Sequence, residues 1–284
     1  MSEEQRDRQS LNLITDTHSI HSDRSSGHKR YSASEAGYWN RWIRISLKAQ
    51  DKKTIFSNIH THINVDSLKE AFNALDGKKA IGVDGISKAS YKKNLDENLK
   101  RLAEAIQRGT YRPKPKREVL IPKANGKTRP IAIACFEDKL VDWVVGKILS
   151  TIYEPIFIRT SFGYRPNKSA ADAVNAIYSS LQQNRRQHIV EIDFSSFFNT
   201  IPHRRLMDII GKKIADRRFK GLIGRFLEGE LLSAEGEILP SEIGTPQGSL
   251  CKALHNEPYA KKVIMRSNRL HSAYYNDYRA IYFA

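Results

Sequence analysis

Ile189-Val190-Glu191-Ile192-Asp193-Phe194 is the stretch that decides the fold. Successive side chains of a strand point to opposite faces, so Val190, Ile192 and Phe194 share one side and Glu191, Asp193 and Ser195 the other. The segment His188–Phe194 therefore reads as a half-buried strand with a carboxylate at its exit. A carboxylate so placed is firmly held and poorly hydrated, which suits a divalent cation. Two such cations about 3.5–4 Å apart can clamp the attacking and leaving oxygens when a phosphoryl group passes to a 3′-hydroxyl. A lone strand-end aspartate is more often a cap or a salt-bridge partner, so the meaning of Asp193 rests on its surroundings.

Upstream, helices and hairpins are mixed. A helix is predicted from Ser67, with Ser67 and Glu70 as a capping box, Leu68, Ala71, Phe72 and Leu75 along one face, and Gly77 as its end. Gly82-Val83-Asp84-Gly85 is a turn signature and lacks the spacing of a phosphate-binding loop. Leu95, Leu99, Leu102 and Ile106 form the stripe of a second helix that ends at Gly109. Glu118–Pro122 and Pro130–Ala134 are short strands joined by Ala124-Asn125-Gly126-Lys127, where Asn-Gly marks a tight hairpin. A broad apolar helix over Glu137–Ile152 follows, then one capped by Ser169 and Asp172, the Asp193 strand, and two helices between His203 and Glu228. Without a regular strand-helix-strand rhythm, this order argues an α+β fold.

The chain has 284 residues, 40% hydrophobic and 27% charged, and is long enough for a packed core. No apolar run reaches the roughly 20 residues of a membrane span, and Met1–Ser10 has no apolar signal core. Cys135 and Cys251 make neither a disulfide framework nor a zinc clamp, so a cytoplasmic compartment is expected. Residues 1 to about 40 read as a flexible leader, and His18, His21, His28, His60 and His62 as polar surface. The net charge of +16 is uneven: residues 108–129 hold eight Lys or Arg and one acid, Glu118. A concentrated excess with an aromatic, Tyr111, and an ordered strand points to a polyanion partner. Arg112, Lys114, Lys116 and Arg117 are its candidate contacts.

Several blocks occur in a fixed order. They are Gly82-Val83-Asp84-Gly85, Gly109-Thr110-Tyr111-Arg112-Pro113, Ile121-Pro122-Lys123 with Gly126-Lys127-Thr128-Arg129-Pro130, and Ser161-Phe162-Gly163-Tyr164-Arg165-Pro166. Then come Asp193-Phe194-Ser195-Ser196-Phe197-Phe198-Asn199-Thr200-Ile201 and Gly244-Thr245-Pro246-Gln247-Gly248-Ser249. Together, over residues 66–249, they resemble the successive motifs of group II intron-encoded reverse transcriptases. The resemblance implies a right-hand polymerase fingers region and a ferredoxin-like palm, with RNA template or intron RNA, a DNA primer and deoxynucleoside triphosphates as partners. It implies Mg²⁺ bound by Asp193 and the carbonyl of Phe194, and a triphosphate held by Lys123 and Arg129. It further implies Phe198 crowding a ribose 2′-hydroxyl, Gln247 in the nucleotide pocket, and Lys127 and Arg165 on nucleic acid. Taken singly, each has a plainer reading: Lys123 and Arg129 flank a hairpin, Phe198 is core, and Arg165 caps a helix.

After Ser249 the pattern departs. Leu250–Lys262 is too polar for a palm helix, and residues 250–284 read as a divergent tail that leaves the palm incomplete, as in a truncated or frame-disrupted copy. A sheet short of its central strand would expose edges. Tyr274-Tyr275-Asn276-Asp277-Tyr278 offers a hairpin in place of the family's Tyr-x-Asp-Asp, in either of two registers, with Asp277 as the candidate second metal carboxylate. The sequence thus leaves a polymerase, a catalytically dead RNA-binding maturase-like protein, and a non-functional fragment as alternatives.

Overall fold

The computed structural model describes residues 33–122, 126, 128–163, 165–184, 189–193, 200–233, 235–239, 272–276 and 279–283. The chain divides into two compact units, residues 1–44 and 45–284, and helix α1, Ala33–Gln50, runs across the boundary. This 18-residue helix begins at residue 33, within the stretch to about residue 40 that the sequence reading assigned to a leader. Its apolar stripe is narrow, with Trp42, Ile45 and Ala49 buried at spacings of three and four between charged neighbours.

The second unit is built on helix α5, Phe136–Tyr153. Leu140, Val141, Val144, Val145, Ile148, Leu149 and Ile152 are fully buried, as the broad apolar face predicts. Helix α2, Val65–Ala74, packs on it and on α4, Leu95–Arg108. Helix α2 starts before the predicted Ser67, because Asn64 is the cap: its side chain accepts from the Ser67 N–H at 3.0 Å, and Ser67 Oγ accepts from the Asn64 N–H at 3.0 Å. Helix α3, Lys88–Lys92, carries Tyr91 into an aromatic cluster with Phe72 and Phe136, with centroids 5.1–6.4 Å apart. Helix α4 ends as predicted at Gly109, whose φ of 75° lies in the left-handed region that glycine adopts without strain.

Strands β1, Lys116–Pro122, and β2, Thr128–Ile133, pair antiparallel from Arg117↔Ile133 to Pro122↔Thr128, which is the predicted hairpin. Helix α6, Ala170–Asn184, carries the predicted cap: Asp172 Oδ2 accepts from the Ser169 N–H at 2.8 Å, and Ser169 Oγ from the Asp172 N–H at 3.2 Å. Strand β3, Ile189–Asp193, follows, then α7, His203–Gly211, and α8, Arg217–Leu227. Two short strands, β4 (Leu231–Leu232) and β5 (Ile238–Leu239), complete a mixed sheet of order β2-β1-β4-β5, in which β4 runs parallel to β1.

Strands β6, Ser272–Asn276, and β7, Arg279–Phe283, form an antiparallel pair, and β7 also pairs with β3. The resulting order is β3-β7-β6. The expected gap at the centre of this sheet is thus corrected: β7 fills it, drawn from the aromatic and branched run Ala280-Ile281-Tyr282-Phe283. The architecture is α+β, as expected.

Residues 51–63 are tied to the α7–α8 link. Phe56 bridges Ile214, and Lys213 Nζ donates to the carbonyls of Asp51, Lys52 and Thr54 at 3.0, 3.0 and 3.2 Å. Asp216 caps α8 through the Phe219 N–H at 3.0 Å and also accepts from the His60 N–H at 2.9 Å.

Candidate active site and nucleic-acid interface

The basic segment enters the β1–β2 hairpin over a buried carboxylate. Asp138, in the first turn of α5, is 2% exposed. The Tyr111 hydroxyl donates to its Oδ1, and the Lys114 N–H donates to Oδ2 at 3.2 Å. Burial pushes the Asp138 carboxyl up to about 6, against the opposing pull of the Tyr111 hydroxyl, the Lys114 N–H and the charges of Lys114 and Lys116. Burial likewise raises the Tyr111 phenol, and the Asp138 charge adds to it.

The Gly82–Gly85 turn abuts the same place. A Cβ on Gly82 would lie 2.6 Å from Cys135 Cα, so only glycine lets the turn come this close. Asp84 Oδ2 accepts from Lys114 Nζ at 3.0 Å, and Arg117 Nη2 donates to the Ile81 carbonyl at 3.0 Å. Burial by itself raises the Asp84 carboxyl, but the Lys114 ammonium and the Ile86 N–H outweigh it and hold it below the usual range. The Gly82–Gly85 block is therefore tied through Asp84 to Lys114, the residue that follows the Gly109–Pro113 block.

The predicted nucleic-acid set divides. Arg112, Lys114 and Arg117 are exposed. Lys116 is only 5% exposed and its charge acts on Asp138, which corrects its place among the surface contacts. Neighbouring strand residues face opposite ways, and at this end of β1 Lys116 faces inward while Arg117 faces solvent. Arg165 is also corrected. Its guanidinium donates to Glu154 Oε1 at 2.7 and 3.0 Å and to the carbonyls of Ile158 and Ser161 at 2.9 and 2.6 Å. With its side chain 9% exposed, it knits the loop after α5, and the carbonyls it meets belong to that loop rather than to a helix end.

Arg129 stands in β2 opposite Ile121. Lys123, Lys127, Phe194, Phe198, Gln247 and Asp277 lie outside the described residues. Asp193 closes β3 in register with Arg279, the first residue of β7, and Arg279 is in turn opposite Asn276, the last residue of β6. The two chain positions that flank Asp277–Tyr278 are thus brought to the Asp193 end of the sheet.

The sequence of the Reverse transcriptase (RNA-dependent DNA polymerase) family matches residues 121–277, over half of the chain, from within β1 to Asp277. The chain belongs to the reverse transcriptase family. The match continues through the segment that departs from the intron-type pattern after Ser249. Protein YkfC of Escherichia coli K12 is 32% identical over 63% of this chain and 47% of its own length. Group II intron-encoded protein LtrA of Lactococcus lactis subsp. cremoris is 32% identical over 74% of this chain and 35% of its own. This reverse transcriptase chain therefore spans less than half the length of these relatives. Among solved structures, a partial Cas6-RT-Cas1–Cas2 complex aligns over 79% of this chain and 37% of that one, at 15% identity and a TM-score of 0.48.

Sequence reasoning missed Asp138, His60 with Asp216, and the arginines of α8, of which Arg218 reaches the Gln107 carbonyl of α4 and Arg225 the Tyr111 carbonyl beyond it. Asp138 left one signal, an acid beside Glu137 in the first turn of a helix, where it is ordinarily read as a favourable dipole partner. Among the described residues no helix is long and apolar enough to cross a membrane, and no three His, Cys, Asp or Glu side chains cluster as metal ligands.

Proposed function

We propose that this chain carries the fingers and palm of an RNA-directed DNA polymerase of the group II intron type. The observation that carries this is the register of the second sheet, which sets Asp193 at the same edge as the strand ends flanking Asp277, inside the family match. The donors that the family resemblance implies, the carboxylates of Asp193 and Asp277 and the Phe194 carbonyl, are all oxygen, and that chemistry fits Mg²⁺. When bound, the cation supplies charge neutralisation at the transferring phosphoryl group and at the 3′-hydroxyl. Arg129, towards the far end of the β1–β2 hairpin, and Lys123, which follows β1 in the sequence, bind the triphosphate and stabilise charge developing on it. Asp138, Tyr111 and the Asp84–Lys114 pair hold the base of that hairpin against α5, so its reach is fixed from below. Phe198 excludes the ribose 2′-hydroxyl, Gln247 orients the nucleotide, and Arg112, Lys114 and Arg117 bind the phosphates of template and primer.

One observation favours a second reading, an RNA-binding protein without polymerase activity. A cationic residue, Arg279, stands opposite Asp193, and Asn276 rather than a carboxylate stands opposite Arg279. Extension of a DNA primer on an RNA template in Mg²⁺ separates the two. Polymerase activity that prefers deoxynucleotides, and loses the preference in Phe198→Ala, supports the first. Salt-sensitive RNA binding with no extension by folded protein supports the second and rejects the first.

A further inference from the structure

Beyond the hairpin, a second cationic surface lies on α8. Its sequence, Arg217-Arg218-Phe219-Lys220-Gly221-Leu222-Ile223-Gly224-Arg225-Phe226-Leu227, is amphipathic, and Phe219, Leu222, Ile223, Phe226 and Leu227 are buried. Arg218, Gly221 and Arg225, three and four residues apart, share the opposite face. Arg225 Nη1 donates to the Tyr111 carbonyl at 3.2 Å, and Arg112 Nη1 donates to the same oxygen at 3.0 Å. Two guanidiniums from distant parts of the chain are thus held at one acceptor. Burial, and after it the like charge of Arg112, holds the Arg225 guanidinium below the usual arginine range. Among the described residues Arg112, Arg218 and Arg225 form no ion pair with a carboxylate.

The glycines of the helix add an independent observation. A glycine in a helix interior costs about 1 kcal/mol relative to alanine. A Cβ on Gly221 or Gly224 would meet nothing within 4 Å, so packing inside the protein does not require either. Gly221 leaves a bare stretch of backbone between Arg218 and Arg225, and a missing side chain flanked by guanidiniums suits a ligand that lies close across the helix. Guanidinium forks match phosphate oxygens two at a time, which a lysine ammonium does not.

We infer that Arg218, Gly221 and Arg225 form a phosphate-backbone site for RNA on α8, which adjoins the basic segment at Arg112 and lies outside the β1–β2 hairpin. The choice of RNA as the strand rests on the polymerase reading, whereas the site itself is read by binding and needs neither Mg²⁺ nor nucleotide. The contacts are to backbone, so the site holds and orients the strand without selecting sequence.

The test is fluorescence-anisotropy titration of a labelled RNA hairpin with the full chain across a range of salt. Arg218→Gln/Arg225→Gln is expected to lower affinity on the order of tenfold near 0.1 M salt, and to reduce the slope of log K against log salt by about two. Gly221→Leu keeps every charge and favours the helix, and it is expected to weaken binding several-fold with no loss of thermal stability. It decides the matter if the double variant folds poorly. Unchanged affinity and slope in both variants, with binding by the wild type, would overturn the site and leave the polymerase reading standing. No RNA binding by folded wild type would overturn both.

Discussion

Asp138→Ala tests whether the hairpin is held from its base. The substitution removes the acceptor of a buried tyrosine hydroxyl and of the Lys114 N–H, and it withdraws a carboxylate that feels the charges of Lys114 and Lys116. Each hydrogen bond to a charged group is worth roughly 1.5–3 kcal/mol, and a buried donor left without its acceptor costs about 1–3 kcal/mol. These contributions overlap, so the expected loss at pH 7 is about 3–5 kcal/mol, read as a lower midpoint in urea with the slope unchanged. Asp138→Asn keeps an acceptor and its volume, and is expected to lose less. The pH dependence carries a further signature. The folded carboxyl titrates at about 6 against an ordinary value of 3.8, so the folded state binds the extra proton between the two. The extra stability that comes from protonating this group is therefore fully present below pH 3.8 and lost as pH rises through 6, and Asp138→Asn flattens that part of the profile. An Asp138→Ala protein within about 1 kcal/mol of wild type, with the same pH profile, would refute the reasoning.

Gly82→Ala places a methyl 2.6 Å from Cys135 Cα and 2.9 Å from the Ala134 carbonyl, all backbone, and is expected to cost about 2 kcal/mol or more by denaturant melt. Gly224→Ala, with nothing within 4 Å, is expected to raise the melting temperature instead. Arg165→Ala removes an ion pair and two carbonyl contacts, and should destabilise by about 2–3 kcal/mol while leaving RNA affinity at moderate salt unchanged once refolded fraction is accounted for. Lys213→Met strips three carbonyls of their donor and is expected to lower stability by about 2–3 kcal/mol, with amide exchange at Phe56 and Ala215 accelerated first.

What could be read from the sequence was local. The β1–β2 hairpin, the helix ending at Gly109 and the Ser169–Asp172 cap each follow from residues a few positions apart, and each forms as read. The start of α2 did not, because Asn64 and Ser67 compete for the same role and only the backbone settles which is the cap. The charge run of residues 108–129 was counted correctly, but a count does not say which side of a strand a lysine faces, and Lys116 points inward. Arg165 sits in a motif block, yet its partners are Glu154 and two carbonyls that no spacing rule links to it. Asp138 is visible only once Tyr111 and Lys114, more than twenty positions upstream, are folded onto it. The pairing of β7 between β3 and β6 is longer-range still, and a polar run from Leu250 onward masks the strand that completes the sheet.

The most direct measurement is single-nucleotide primer extension on an RNA template in Mg²⁺, comparing wild type with Asp193→Ala and Asp277→Ala at matched folded concentrations. Extension by the wild type that is abolished in both variants, with RNA affinity retained, is the predicted result. Extension that persists in Asp193→Ala, or none from a folded wild type, would contradict the polymerase reading.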